Sequence, residues 1–352
     1  MLDRPKVIGL LVQVVLFHFI TTNSIFAQRV ENNGVTPLFS SEESLPLKLS
    51  YSIKEVRYKT NDSTYLKTVI HYKESDEWDS VKVKIRARGN FRRINCYHVP
   101  IKLKFKKSHS ERTIFEGNKK LKLVLPCKKE RNANDYVVKE FLAYKLYEVV
   151  SDVHFKTRLV ELDFQEEKKQ KVKSHSLKGI LIEDIDLLAE RVGGFELKKN
   201  MHPLNQDAER SIKNAFFQYM IGNTDFSART QHNDKLLFVD ECYSYVPYDF
   251  DMCGLVNASY ATVSGLDNIP AEVASVTERV YKGYARDPVL MEEVRAMFLE
   301  KEADFLKKVD AIEMAFESQR QYEKARSYVL DFFAILKSDV AFSRNILEKV
   351  RY

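Results

Sequence analysis

Residues 81–88 read Val-Lys-Val-Lys-Ile-Arg-Ala-Arg. The strict alternation has the two-residue period of a β-strand. It places Val81, Val83, Ile85 and Ala87 on one face and Lys82, Lys84, Arg86 and Arg88 on the other. The pattern recurs on both sides. Upstream, Leu47, Leu49, Tyr51 and Ile53 share a face; downstream, Ile101, Leu103 and Phe105 stand opposite Lys102, Lys104 and Lys106, and Leu121, Leu123 and Leu125 run up to Pro126. Two further strands are predicted near 158–164 and 177–183, joined across the charged loop Glu166–Lys173. Ahead of these two strands and after Pro126, Val137, Val138, Phe141, Leu142, Leu146 and Val149 fall at helical spacing behind a cap at Asn134 or Asp135.

Past Gly193-Gly194 the period changes. A helix is predicted over 207–221, a hairpin over 235–240 and 243–249 with its turn at Glu241, and helix over most of the chain from Pro288 on. The order predicts an α+β protein: a β-rich lobe at 45–190, an α-rich lobe at 191–352, and a cleft between them. A chain of 352 residues with 44% hydrophobic and 30% charged residues has the material for two cores, and 11 Gly and 9 Pro exclude low-complexity classes.

The net charge of +6 is a cancellation. From Lys82 to Arg131, 17 Lys and Arg face three Glu, a net +14 that leaves the rest of the chain at −8. A basic sheet face suits a phosphate-rich ligand or an acidic partner. Nucleic acid is not expected, because the segment carries no helix-turn-helix, zinc-finger or RNA-binding aromatic motif.

Arg4 and Lys6 precede the apolar run Val7–Ile20, and Ile25-Phe26-Ala27 resembles a cleavage site. Residues 1–27 therefore read as a secretory signal and 28–44 as a flexible polar leader. The expected location is outside the cytoplasm, whether periplasmic, cell-surface or extracellular, with no transmembrane helix after signal removal. Cys96, Cys127, Cys242 and Cys253 allow three pairings or free thiols, and none is spaced as C-x-x-C.

Two acidic stretches carry the chemistry: Asn223-Thr224-Asp225 through His232-Asn233, and Pro247-Tyr248-Asp249-Phe250-Asp251. On a strand, Asp249 and Asp251 would share a side, and paired carboxylates with an Asn amide suit Mg²⁺. Asp225 would accept a proton from an attacking hydroxyl. Phosphoryl transfer uses such a set together with a basic group on the phosphates. Metalloprotease and serine-hydrolase chemistry is not supported, since neither H-E-x-x-H nor G-x-S-x-G occurs.

With Arg88-Gly89-Asn90, the strand Pro100–Phe105 and Gly179-Ile180-Leu181-Ile182-Glu183, these stretches resemble the CotH-type (spore coat protein H-like) atypical secreted kinases over roughly residues 80–255. The resemblance implies a two-lobed protein-kinase-like fold with a β-rich N-lobe and an α-helical C-lobe. It implies Asp225 as catalytic carboxylate and Asp249, with Asn233 or Asp251, as Mg²⁺ ligands. Lys102 or Lys104 would reach the ATP phosphates, Glu140 would pair with that lysine, and Glu183 would sit near the base. With no G-x-G-x-x-G loop, Arg88-Gly89-Asn90 would meet the phosphates. The implied function is an exported ATP- and Mg-dependent kinase acting on a hydroxyl of an unidentified secreted or envelope protein. The alternative is a non-catalytic, pseudokinase-like module whose basic β face holds an acidic envelope or matrix partner.

Overall fold

The computed structural model describes residues 34–352 except 75, 90 and 268. The signal reading of 1–27 lies outside the described residues. Of the polar leader, the described part (34–44) is packed: Leu38 is buried, and Arg158 donates from Nη1 to the Leu38 carbonyl (3.0 Å) and from Nε to that of Glu43 (3.0 Å).

The first half runs β1 (Leu45–Tyr51), α1 (Ile53–Lys59), β2 (Leu66–Lys73), β3 (Trp78–Ala87), α2 (Phe91–Asn95), β4 (Ile101–Phe105), α3 (Lys107–Ser110), β5 (Lys120–Val124), α4 (Ala133–Val150), β6 (Thr157–Lys168) and β7 (Lys171–Glu183). Ile53 leaves the strand pattern because Ser52 caps α1, its Oγ accepting the Glu55 N–H at 3.3 Å. The seven strands form a closed barrel in the order β1-β2-β3-β4-β5-β7-β6. All pairs are antiparallel except β1 with β6, which run parallel from Leu45 opposite Val160 to Tyr51 opposite Glu166.

This closure overturns the expected two-lobed kinase-like fold. A kinase-type N-lobe is an open sheet, whereas here β6 returns to β1 and leaves the barrel no free edge. Each strand turns an apolar face inward, and β6 and β7 also bury Leu159, Ile180 and Ile182 on the outside, against α4. Leu47, Leu49, Ile70, Val83, Ile85, Ile101, Leu103, Leu121, Leu123, Leu162 and Phe164 make one core inside the barrel, so the lysine-rich faces turn out.

The remaining elements are α5 (Ile185–Arg191), β8 (Phe195–Glu196), α6 (Ala208–Met220), β9 (Asp234–Val239), β10 (Cys242–Pro247), α7 (Pro288–Glu300), α8 (Glu302–Asp310), α9 (Gln319–Lys337) and α10 (Asp339–Asn345). Strands β10-β9-β8 form a small antiparallel sheet. Its β9–β10 turn puts Asp240 (φ 51°) and Glu241 (φ 59°) in the left-handed region, as a two-residue primed turn requires. Helix α4 is buried almost all round, and Phe141, Leu142 and Leu146 join a second core with Phe216, Phe298, Phe305, Phe332 and Phe342. Among the described residues no helix is long and apolar enough to cross a membrane.

Pro46 is accommodated near the start of β1, but from Leu47 to Leu49 the strand is paired on both sides, so proline should be rejected at both phases there. Leu47→Pro and, separately, Lys48→Pro are each expected to cost about 3 kcal/mol or more in denaturant unfolding. Tolerance of either one would mean that β1 is a free edge.

Candidate active site

The turn after β3 builds the first part of the site. Gly89 (φ +77°) reverses the chain into α2, and the Arg88 N–H donates to the Pro100 carbonyl at 2.9 Å. The Cys96–Cys127 disulfide and a bond from the Tyr97 N–H to the Cys127 carbonyl (2.7 Å) then pin the end of α2 to the chain beyond β5. Cys253 is a buried free thiol and Cys242 a half-buried one.

So anchored, Arg92 is buried. Its Nε donates to Asp251 Oδ2 at 2.7 Å and its Nη2 to Glu140 Oε2 at 2.8 Å. Burial pushes the Glu140 carboxyl up to about 7 against the pull of Arg92, and the nearby Asp251 and Asp249 charges add to the rise. Burial likewise raises Asp251, opposed by Arg92.

This arrangement reassigns two expected residues. Glu140 pairs with Arg92 and not with Lys102 or Lys104. Those lysines stand on the outer face of β4, where Lys102 Nζ lies 3.4 Å from Asp184 and Lys104 Nζ lies 5.6 Å from the centre of the Tyr65 ring. Nor do Asp249 and Asp251 share a strand face. Strand β10 ends at Pro247, and Asp249 turns in the left-handed region (φ 64°), which leaves Asp251 to the guanidinium.

The second part forms where the loop after α6 meets the ends of β9 and β10. The Asp225 N–H donates to Asn223 Oδ1 (2.9 Å) in an Asx turn. Asn233, itself left-handed (φ 54°), donates from Nδ2 to Asp225 Oδ2 (3.0 Å) and to the Asp225 carbonyl (2.6 Å). His232 Nε2 lies 3.3 Å from Asp225 Oδ1, and the imidazole pKa is raised chiefly by that hydrogen bond. The Tyr248 N–H donates to the Asn233 carbonyl at 3.0 Å, and the Asp249 N–H to the Tyr144 hydroxyl at 3.0 Å, which ties the loop to α4. Burial alone would push the Asp249 carboxyl up. Arg92, Arg88, Lys122 and His232 outweigh it and hold the group below the ordinary aspartate value. Asp225, Asn233 and Asp249 are therefore brought together with a cationic surround.

Three contributors were not anticipated. Lys122 on β5 is half-buried, with Nζ 4.5 Å from the centre of the Tyr248 ring and 4.9 Å from that of Phe155. Burial, then Arg88 and Lys235, push its ammonium down to about 7 while Asp249 and Asp184 oppose them. The strand alternation could have found it, because Lys122 stands between Leu121 and Leu123 as Lys102 stands between Ile101 and Leu103. Lys282 is buried and donates from Nζ to the Thr224 (2.9 Å) and Phe226 (2.5 Å) carbonyls, so it holds the loop on either side of Asp225. Arg92 is the third.

Arg88 contributes to the field on Asp249 and has no carboxylate within 4.0 Å among the described residues. Glu183 is committed elsewhere: its carboxylate accepts from Arg191 Nε (3.1 Å), Arg191 Nη2 (2.9 Å) and the Lys156 N–H (2.9 Å). Among the described residues no group of three or more His, Cys, Asp or Glu side chains is arranged to hold a metal ion. The oxygen donors left to a cation are the Asp249 carboxylate and the Asn233 side-chain carbonyl, since Asp251 is taken by Arg92.

Removing Arg92 would strand two buried carboxylates. Arg92→Met is expected to cost about 3–5 kcal/mol in unfolding, and adding Glu140→Gln and Asp251→Asn should recover most of it. A triple variant no more stable than the single one would remove the ion cluster from its structural role.

No protein-family model matches the chain, and a search of the curated proteins finds no match either.

Proposed function

We propose that the chain is an exported phosphotransferase that uses ATP and Mg²⁺ and transfers the γ-phosphate to a hydroxyl of a secreted or envelope protein. The observation that carries this reading is the convergence of Asp225, Asn233 and Asp249 beside Lys122 and Arg88. It rests on that cluster and not on a two-lobed fold.

Phosphoryl transfer asks little covalent chemistry of a protein; it asks for positioned charge. The donor set fits Mg²⁺, which takes one or two carboxylates and fills its remaining positions with water and substrate phosphates. Asp249 and the Asn233 carbonyl would hold the ion, which when bound supplies neutralising charge to the phosphates. Lys122 and Arg88 would meet those phosphates. An ammonium held near 7 regains its proton beside an anion, so Lys122 is a responsive cation there. Asp225 would accept the proton of the incoming hydroxyl. Asn233 fixes one of its oxygens and His232 lies against the other, so the carboxylate is oriented before substrate arrives. The likeness of the two acidic stretches to CotH-type kinases supports the same roles for Asp225 and Asp249. Export is supported by the N-terminal apolar run and suits the Cys96–Cys127 disulfide.

The chain beginning at Gln28, given Mg²⁺ and γ-labelled ATP with casein-type acceptors, is expected to transfer label. Asp225→Asn should lower the rate about 100-fold or more without lowering thermal stability. No transfer, or transfer indifferent to Asp225→Asn, would remove the proposal.

A further inference from the structure

The outer face of the barrel carries its cations in register. Lys67, Lys84, Lys104 and Lys120 stand directly opposite one another across β2, β3, β4 and β5. Arg86, Lys102 and Lys122 form the next row. Neighbouring strands lie about 4.8 Å apart, so each row sets like charges at close quarters, an arrangement that destabilises a sheet unless something neutralises it.

Neutralisation divides the face in two. Towards one side, Arg86 meets Asp62 at 2.9 Å, Lys102 meets Asp184 at 3.4 Å and Lys120 meets Asp186 at 3.0 Å. Towards the other, Lys67, Lys82, Lys84, Lys104 and Lys106 are exposed, and among the described residues none has a carboxylate within 4.0 Å. These five, with His109 of α3, line a groove of about 660 Å³ that contains no acidic side chain. None of its lining residues belongs to the Asp225–Asp249 cluster.

We propose that this groove is a docking site for an extended acidic polypeptide segment, one rich in Asp and Glu. Lys67, Lys84 and Lys104 form one row, and Lys82 and Lys106 lie one pleat repeat further along the strands, about 6.8 Å away. An extended peptide laid across the strands between the rows turns successive side chains alternately towards each. Consecutive carboxylates are thus delivered to both rows at once. Lysine suits this role better than arginine would: its ammonium is a point charge on a flexible stem, which absorbs the mismatch between strand spacing and peptide repeat. Partly exposed Val69 and Thr68 in the groove floor give the peptide backbone a surface to lie on. The proposal is independent of phosphotransfer.

A dye-labelled poly-glutamate peptide and the chain from Gln28 test it by fluorescence anisotropy. Binding is expected at low ionic strength and should weaken steeply between about 50 mM and about 300 mM NaCl, as screening shortens the reach of exposed charges. Lys67→Gln, Lys84→Gln and Lys104→Gln together should weaken it about tenfold or more. Lys54→Gln, Lys171→Gln and Lys349→Gln, which remove the same charge elsewhere on the surface, should leave it within about twofold. All six positions are exposed, and an unchanged melting temperature will show that both variants fold. Equal affinity of the two triple variants overturns the proposal. So does binding of polygalacturonate with no binding of poly-glutamate, which would assign the groove to an anionic polysaccharide.

Discussion

One buried guanidinium holds the site together. Arg92 comes from the turn between β3 and β4, Glu140 from the middle of α4, and Asp251 from the loop beyond β10, and they meet at 2.7 and 2.8 Å. Such a cluster is weak evidence of stability in itself, since desolvating the ions offsets their attraction. What it provides is placement. It fixes the barrel, its covering helix and the acidic loop to a common point. It also lends Asp249 part of the positive field that keeps that carboxylate ionised, while the neighbouring Glu140 is pushed up to about 7. Three carboxylates crowd one arginine, so they cannot all ionise with equal ease. The one left to act on a cation is the one that Lys122, Arg88 and His232 also favour.

The same economy of charge runs over the barrel surface. Packing the apolar faces inside forces every second residue of β3 and β4 outward, and from Lys82 on those residues are Lys and Arg. Beside the site they are matched by Asp184 and Asp186 at the start of α5. Away from it they are not, and the surplus collects in one groove. The basic bias visible in the composition is thus two features, a compensated border to the site and an uncompensated groove.

Much of the local structure was legible in the residues. The alternation at 81–88 is a strand, running in full from Trp78 to Ala87, and its lysines do stand opposite the barrel core. Closure was not legible, because it depends on β1 pairing with β6 across more than a hundred residues, and no local period reports a partner. Strand β2 carries little alternation signal because only two of its positions, Ile70 and Tyr72, are buried. Within the site, Asp225, Asn233 and Asp249 could be grouped from their short motifs. Glu140 could not be given its partner, since Arg92 reaches it from a turn of five helical residues that carries no periodic signal. Asp251 departs from the expected pairing with Asp249 for a backbone reason: the left-handed turn at Asp249 breaks the strand geometry that would align the two.

The proposed phosphotransfer requires Asp249 and Lys122 together to receive a metal-bound nucleotide phosphate. Calorimetric titration of the chain from Gln28 with ATP, with and without Mg²⁺, tests it most directly. The expected result is Mg²⁺-dependent binding that Asp249→Asn and Lys122→Met each weaken about tenfold or more, with both variants still folded. No heat of nucleotide binding in the unaltered chain, or binding that both variants retain in full, would contradict it.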